Sequence, residues 1–183
     1  MAKTLTASVS GGVNWTHTNT VTGDNSATVT DQNSDTYSQS FTNGTGAINT
    51  IDLKYSVMVT LAGAATNTLD LYNSLTDSFG ATINFARIKV ISVRVLSSDD
   101  DATSLGGPVD IGNAANPLVN WISVGTTKVR VGGTAAKKAF FLLSTADAVG
   151  YAVTATTGDN FMLTNVHATS TVLARVTFLG STV

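Results

Sequence analysis

Residues 81–96, ATINFARIKVISVRVL, follow TDSFG and hold most of the residue types of a β-core in one unbroken run. At strand period the apolar phase of this run changes twice. Ile83 and Phe85 hold odd positions, Ile88 and Val90 even ones, and Ile91, Val93 and Val95 odd ones again, with Arg87 and Lys89 interrupting the first phase. Side chains of a strand alternate between two faces, so a half-buried strand keeps one phase throughout. A double change has two ordinary causes: a β-bulge that re-aims the strand, or burial on both faces. At about 3.3 Å per residue the run would extend roughly 50 Å, well beyond an ordinary strand. The expectation is a long, broken strand that turns a corner of a sandwich. Arg87, Lys89 and Arg94 then form either a basic patch or charges that snorkel at a sheet edge and keep it from aggregating.

Composition points the same way. The chain has 183 residues, enough for one domain with its own core or a small domain with an appendage. Only 12% of residues are charged, about half the usual share, and every acid is Asp. Thr, Ser and Asn supply the polarity instead, so the residues that build surface helices are scarce. This predicts an all-β protein, an antiparallel β-sandwich or jelly roll of about ten or more strands. The formal net charge of −2, with only Lys3 as a basic residue at the N-terminus, argues against nucleic-acid binding. The absence of cysteine excludes disulfides, thiolate metal sites and thiol catalysis. MAKTLTASVSGG lacks the apolar core of a signal peptide, and no stretch has the length of a membrane span. The expectation is synthesis in the cytoplasm, with no export by the common route and no membrane partner.

Along the chain, TLTASV at 4–9 alternates as a first strand. Residues 11–50 are polar and poor in large aliphatics, with short alternating pieces at Val13–Trp15, Ala27–Val29 and Tyr37–Phe41. The turn signals GDN, DQNSD and NGTG separate these pieces. Residues 1–50 therefore read as a hairpin layer with one wet face or as an arm that orders against a neighbour. Residues 51–183 read as the sandwich core, the whole forming one compact domain. LKYSVMVTL at 53–61 is the cleanest strand, and TLDL a short one. Leu71, Leu75 and Phe79 at spacing four, closed by Gly80, suggest one short helix near 70–79. After the loop SSDDDATSLGGP come the strands VDIG, PLVNWIS and TTKVRV, and the continuous apolar run AFFLL suggests a fully buried strand. YAVTATT, NFMLTNV and TVLARVTFL close the chain.

Candidate chemistry is sparse. His17 and His167 each lack a second ligand at metal spacing, and no GxSxG is present, so surface histidines on strands are expected. Asp99, Asp100 and Asp101 offer a Ca²⁺ loop or a solvated tip. GGTAAKK at 132–138 is not a phosphate loop and reads as a hairpin turn whose Lys137 and Lys138 guard the apolar strand. Trp15 and Trp121 suit sugar stacking, core or interface. Lys128 and Arg130 share a strand face opposite Val129 and Val131, ready for an acidic partner or simply wet. No catalytic, cofactor or metal site emerges, and no enzyme is expected. Trp15, Tyr37, Phe41, Trp121, Lys128 and Arg130 are the candidate interface residues.

The motifs LTDSFG, NAANP between two strands, VRVGG before an apolar strand and GYAVTATTGD lie between about residues 69 and 180. In these the chain resembles a family of small Thr- and Gly-rich structural proteins of tailed phages and prophages. The resemblance implies a β-sandwich or jelly-roll virion protein, foremost a capsid decoration (cement) protein on the outer capsid surface. Its partners would be the major capsid protein and further copies of itself, a homotrimer foremost. A tail, baseplate or fibre component, a single-jelly-roll coat protein and a carbohydrate-binding module are the alternatives. Residues 11–50 fall outside the matched motifs.

Overall fold

The computed structural model describes residues 4–21, 27–96, 107–118, 121, 128–133 and 138–183. Among these the chain is all-β, without a helix. The N-terminal strands β1 (Ala7–Val21) and β2 (Ala27–Asn43) form a long antiparallel ribbon, joined by the short parallel β3 (Thr50–Ile51). Next come β4 (Leu53–Leu61), β5 (Thr66–Asp70), β6 (Tyr72–Thr76), β7 (Thr82–Asn84), β8 (Arg87–Leu96), β9 (Val109–Gly112) and β10 (Lys128–Val131). β11 (Ala139–Ser144), β12 (Tyr151–Ala152), β13 (Asn160–Asn165) and β14 (Val172–Ser181) complete the chain. Two antiparallel sheets make the sandwich: one ordered β11-β8-β14-β4, with β12 also on β8, and one ordered β10-β9-β13-β5.

The core lies between these sheets. Val59, Ile91, Val93, Val176 and Phe178 from the first sheet meet Leu69, Ile111, Phe161 and Leu163 from the second. Aromatic edges lock the two layers: Phe161 and Phe178 cross at 85° with centroids 4.9 Å apart, and Trp121 stands 5.2 Å from Phe161. β4 and β14 show the alternation their sequences predict, with Val172, Ala174, Val176 and Phe178 inward and buried.

Both causes of the double phase change are present in the central run. The chain breaks at Phe85 and Ala86 as it passes from the β6–β7 hairpin into β8; the Phe85 amide donates to Leu71 and the Ala86 amide to Ser181. A β-bulge follows. Leu179 of β14 pairs with Val90, yet Gly180 pairs with Ile88, so Lys89 is the extra residue. Ile88 and Ile91 therefore share the sandwich core, while Val90 turns to the opposite face. A Cβ at Gly180 would overlap the Arg87 carbonyl oxygen and crowd the Phe85 ring, so only glycine fits opposite the bulge.

Four expectations need correction. β8 is an interior strand and Lys89 is fully buried, so Lys89 does not snorkel at an edge. Residues 72–84 form a hairpin rather than a helix, because spacing four satisfies period two as well as period 3.6. In its turn, Asp77 accepts from the amides of Phe79 and Ala81, and Gly80 takes φ 84°. DQNSD at 31–35 lies within β2 and is not a turn. AFFLL forms an edge strand, with Phe140 exposed rather than buried. In PLVNWIS, Pro117 makes an isolated bridge to Asn160; the rest of that segment apart from Leu118 and Trp121 lies outside the described residues, as do Asp99–Asp101 and Lys137.

Gly180→Ala is expected to lower the unfolding free energy by about 2–3 kcal/mol, the scale of overpacking a tight core. Gly133→Ala, where a Cβ meets nothing within 4 Å, serves as the control and should change it by less than ~0.5 kcal/mol. Denaturant titration of the two variants measures the difference.

Candidate functional site

The β1–β2 ribbon has a root and a free part, and sequence explains both. At the root, Val9, Phe41 and Ile51 pack with Val90 and Leu179, joined by Leu5, Ala7 and Leu142. This second, smaller core sits on the outer face of the β11-β8-β14-β4 sheet. Gln39 is buried beside it with its amide satisfied: Nε2 donates to Asn49 Oδ1 at 2.9 Å, and Oε1 accepts from Ser144 Oγ at 2.7 Å and from the Tyr37 hydroxyl. Lys89 closes the root from below, its Nζ donating to the Ala47 carbonyl at 2.7 Å. Burial pushes the Lys89 ammonium below the usual lysine range, and nearby Asp147 opposes that shift. The Asp147 carboxyl is itself held low, first by the Gly150 amide and then by the Thr145 hydroxyl.

Beyond the root the ribbon stands in solvent. Every described side chain from Ser10 to Thr18 and from Thr30 to Ser38 is exposed, on both faces. At about 3.3 Å per residue, the stretch from Gly11 to Thr18 is roughly 25 Å long. Register divides its side chains cleanly. One face carries Ser10, Asn14, Thr16 and Thr18 against Ser38, Ser34, Gln32 and Thr30, uncharged and hydroxyl-rich. The other continues the root's apolar face: Gly11 opposite Tyr37, Val13 opposite Asp35, Trp15 opposite Asn33, and His17 opposite Asp31. Val13 is 65% exposed, Tyr37 47% and Trp15 41%. An isolated two-stranded ribbon is only marginally stable in water, and this one leaves its apolar stripe uncovered among the described residues.

The sheet that carries the root is itself only half covered. One row across its outer face runs Phe140, Arg94, Arg175 and Met58, in register on β11, β8, β14 and β4. Phe140 is 58% exposed and Met58 40%, and both arginines are exposed. This row was invisible in sequence, since it exists only through the register of four strands.

The predicted interface residues do not form one surface. Trp15 and Tyr37 share the arm's apolar face, but Phe41 is buried at the root. Trp121 is buried against Phe141 and Phe161, which removes it from sugar stacking and from the surface of this chain. Lys128 and Arg130 lie on β10, an edge of the opposite sheet. Arg130 is held bidentate by Asp110 at 2.7 and 3.1 Å, which raises its pKa and ties it to its own chain. His17 is exposed on the arm, whereas His167 lies after β13, where Nδ1 accepts from the amides of Thr169 and Ser170. Among the described residues no group of three or more His or Asp side chains is placed to hold a metal ion, and no helix is long and apolar enough to cross a membrane. No known protein family matches the chain, and no curated protein matches its sequence.

Trp121→Ala is expected to cost about 3–5 kcal/mol of stability, as for a large aromatic removed from a core. Trp15→Ala, on the exposed arm, should cost the dissociated chain, at low protein concentration, less than ~0.5 kcal/mol. Thermal and denaturant unfolding of the pair distinguish core from surface tryptophan.

Proposed function

We propose that this chain is a non-enzymatic structural protein of a bacteriophage virion, a capsid decoration protein that bridges neighbouring major capsid protein subunits. The projecting β1–β2 arm carries this reading: a long, weakly charged ribbon with an apolar stripe serves assembly and has no use in a solitary globular domain. The resembling motifs fall on framework elements, which supports a structural role. LTDSFG makes the β6–β7 turn, VRVGG ends β10, and GYAVTATTGD forms β12 and the turn after it. The strand order supports a jelly roll, since β4 and β5, β8 and β9, β10 and β11, and β13 and β14 each lie in opposite sheets. Low charge suits a protein packed in many copies, because charged residues are depleted at interface cores. A net charge of −2 suits the outside of a shell better than contact with a genome.

In this reading the protein is made in the host cytoplasm and acts on the outer capsid surface, with the arm joining it to a neighbouring subunit. Multivalent attachment then multiplies the affinity of each capsid contact. Replacing residues 13–35 by Asn-Gly closes the hairpin at the Gly12–Thr36 pair and leaves the root intact. This variant is expected to fold and to occupy purified shells at least ~10-fold more weakly than the full chain. Equal occupancy by the trimmed chain would count against the arm's role in the proposed function.

A further inference from the structure

We infer that the arm of one copy docks across the uncovered half of the β11-β8-β14-β4 sheet of a second copy of this chain. The inference rests on the arm being an assembly element, as proposed above, and not on the virion assignment.

Continuity is the first argument. At the root, Val9 and Phe41 already use this arm face to pack this sheet face, against Val90 and Leu179. The arm leaves the sheet over the edge strand, where Gly11 lies beside Leu142. Its own Val13, Trp15 and Tyr37 stay exposed, and so do Phe140 and Met58. Two halves of one kind of interface are thus left unpaired on each molecule, and a second copy supplies both.

Charge is the second argument. Arg94 and Arg175 are directly opposite each other on adjacent strands. Like charges in that position destabilise a sheet. The outer-face residues of the four strands include Lys54 as a further cation and no acid. The apolar face of the arm carries Asp31 and Asp35, with His17 as its one basic group among the described residues. An acidic, aromatic ribbon laid on an arginine-bearing, apolar row relieves the Arg94–Arg175 repulsion and gives Trp15 and Tyr37 cationic neighbours. Gly11 and Gly12 sit where the ribbon leaves its root; a Cβ on Gly12 would lie 2.7 Å from the Asp35 carbonyl oxygen, so the close approach of the two strands there requires glycine.

Native mass by light scattering, over a concentration series, tests the inference on the full chain. The wild type is expected to give a multiple of the 18.8 kDa chain mass. Asp31→Arg with Asp35→Arg, and separately Arg94→Asp with Arg175→Asp, should each weaken self-association at least ~10-fold. Mixing the two variants should restore it, because each arm then meets a sheet of opposite charge. Should either charge variant fail to fold by circular dichroism, Trp15→Ala takes its place and must weaken self-association by a similar factor of ~10. A wild type that stays at 18.8 kDa throughout, or variants that keep the wild-type mass, would overturn the inference. Shell binding by a monomeric wild type would overturn this inference alone, and self-association without shell binding would overturn the capsid reading alone.

Discussion

The bulge at Lys89 is the constraint on which the rest of the molecule depends. It sends Ile88 and Ile91 into the sandwich while turning Val90 outward, so one interior strand builds both hydrophobic cores. Were Lys89 paired as an ordinary ladder residue instead, Ile91, Val93 and Val95 would face outward, because a one-residue slip moves every side chain to the other face. The bulge also aims the Lys89 side chain at the Ala47 carbonyl, beneath the loop that returns from the arm. A buried ammonium is costly unless it is bonded, and here the bond and the nearby Asp147 carboxylate offset that cost. The arm therefore stands on a feature of the sandwich.

Much of this was legible in the sequence. Alternation in β4 and β14 and the broken phase of 81–96 are direct consequences of period-two burial, and they survive into the structure unchanged. Other positions misled for identifiable physical reasons. Leu71 and Leu75 at spacing four fit a strand face as well as a helix face, and only hairpin pairing decides between them. DQNSD carries strong turn residues but lies mid-strand, where cross-strand pairing with Val13–His17 overrides local preference. Phe140 is apolar yet exposed, since β11 is an edge strand and the residue opposite it on β8 is Arg94.

The surface that now attracts attention was the least legible part. Trp121 and Phe41 looked like interface residues because aromatic side chains serve core and interface equally well, and burial alone separates the two uses. Arg94 and Arg175 lie far apart in sequence and gain meaning only when β8 and β14 pair. The polar texture of residues 11–50 concealed an apolar stripe, because its members are spaced out by serine, threonine and asparagine on the opposite face. The hydroxyl-rich face of the ribbon stays wet, while the other sets Val13, Trp15 and Tyr37 beside Asp31 and Asp35.

In the proposed assembly the distal arm is held by a partner while its root is held by the chain itself. Amide hydrogen exchange across a dilution series tests this most directly. The account predicts that amides at the root, around Val9, Gln39 and Phe41, stay protected at every concentration. Amides between Val13 and Thr18 and between Thr30 and Asp35 should be protected only in the associated protein and exchange rapidly on dilution. Equal, concentration-independent protection along the whole ribbon would contradict the account, because it would mean that the arm needs no partner.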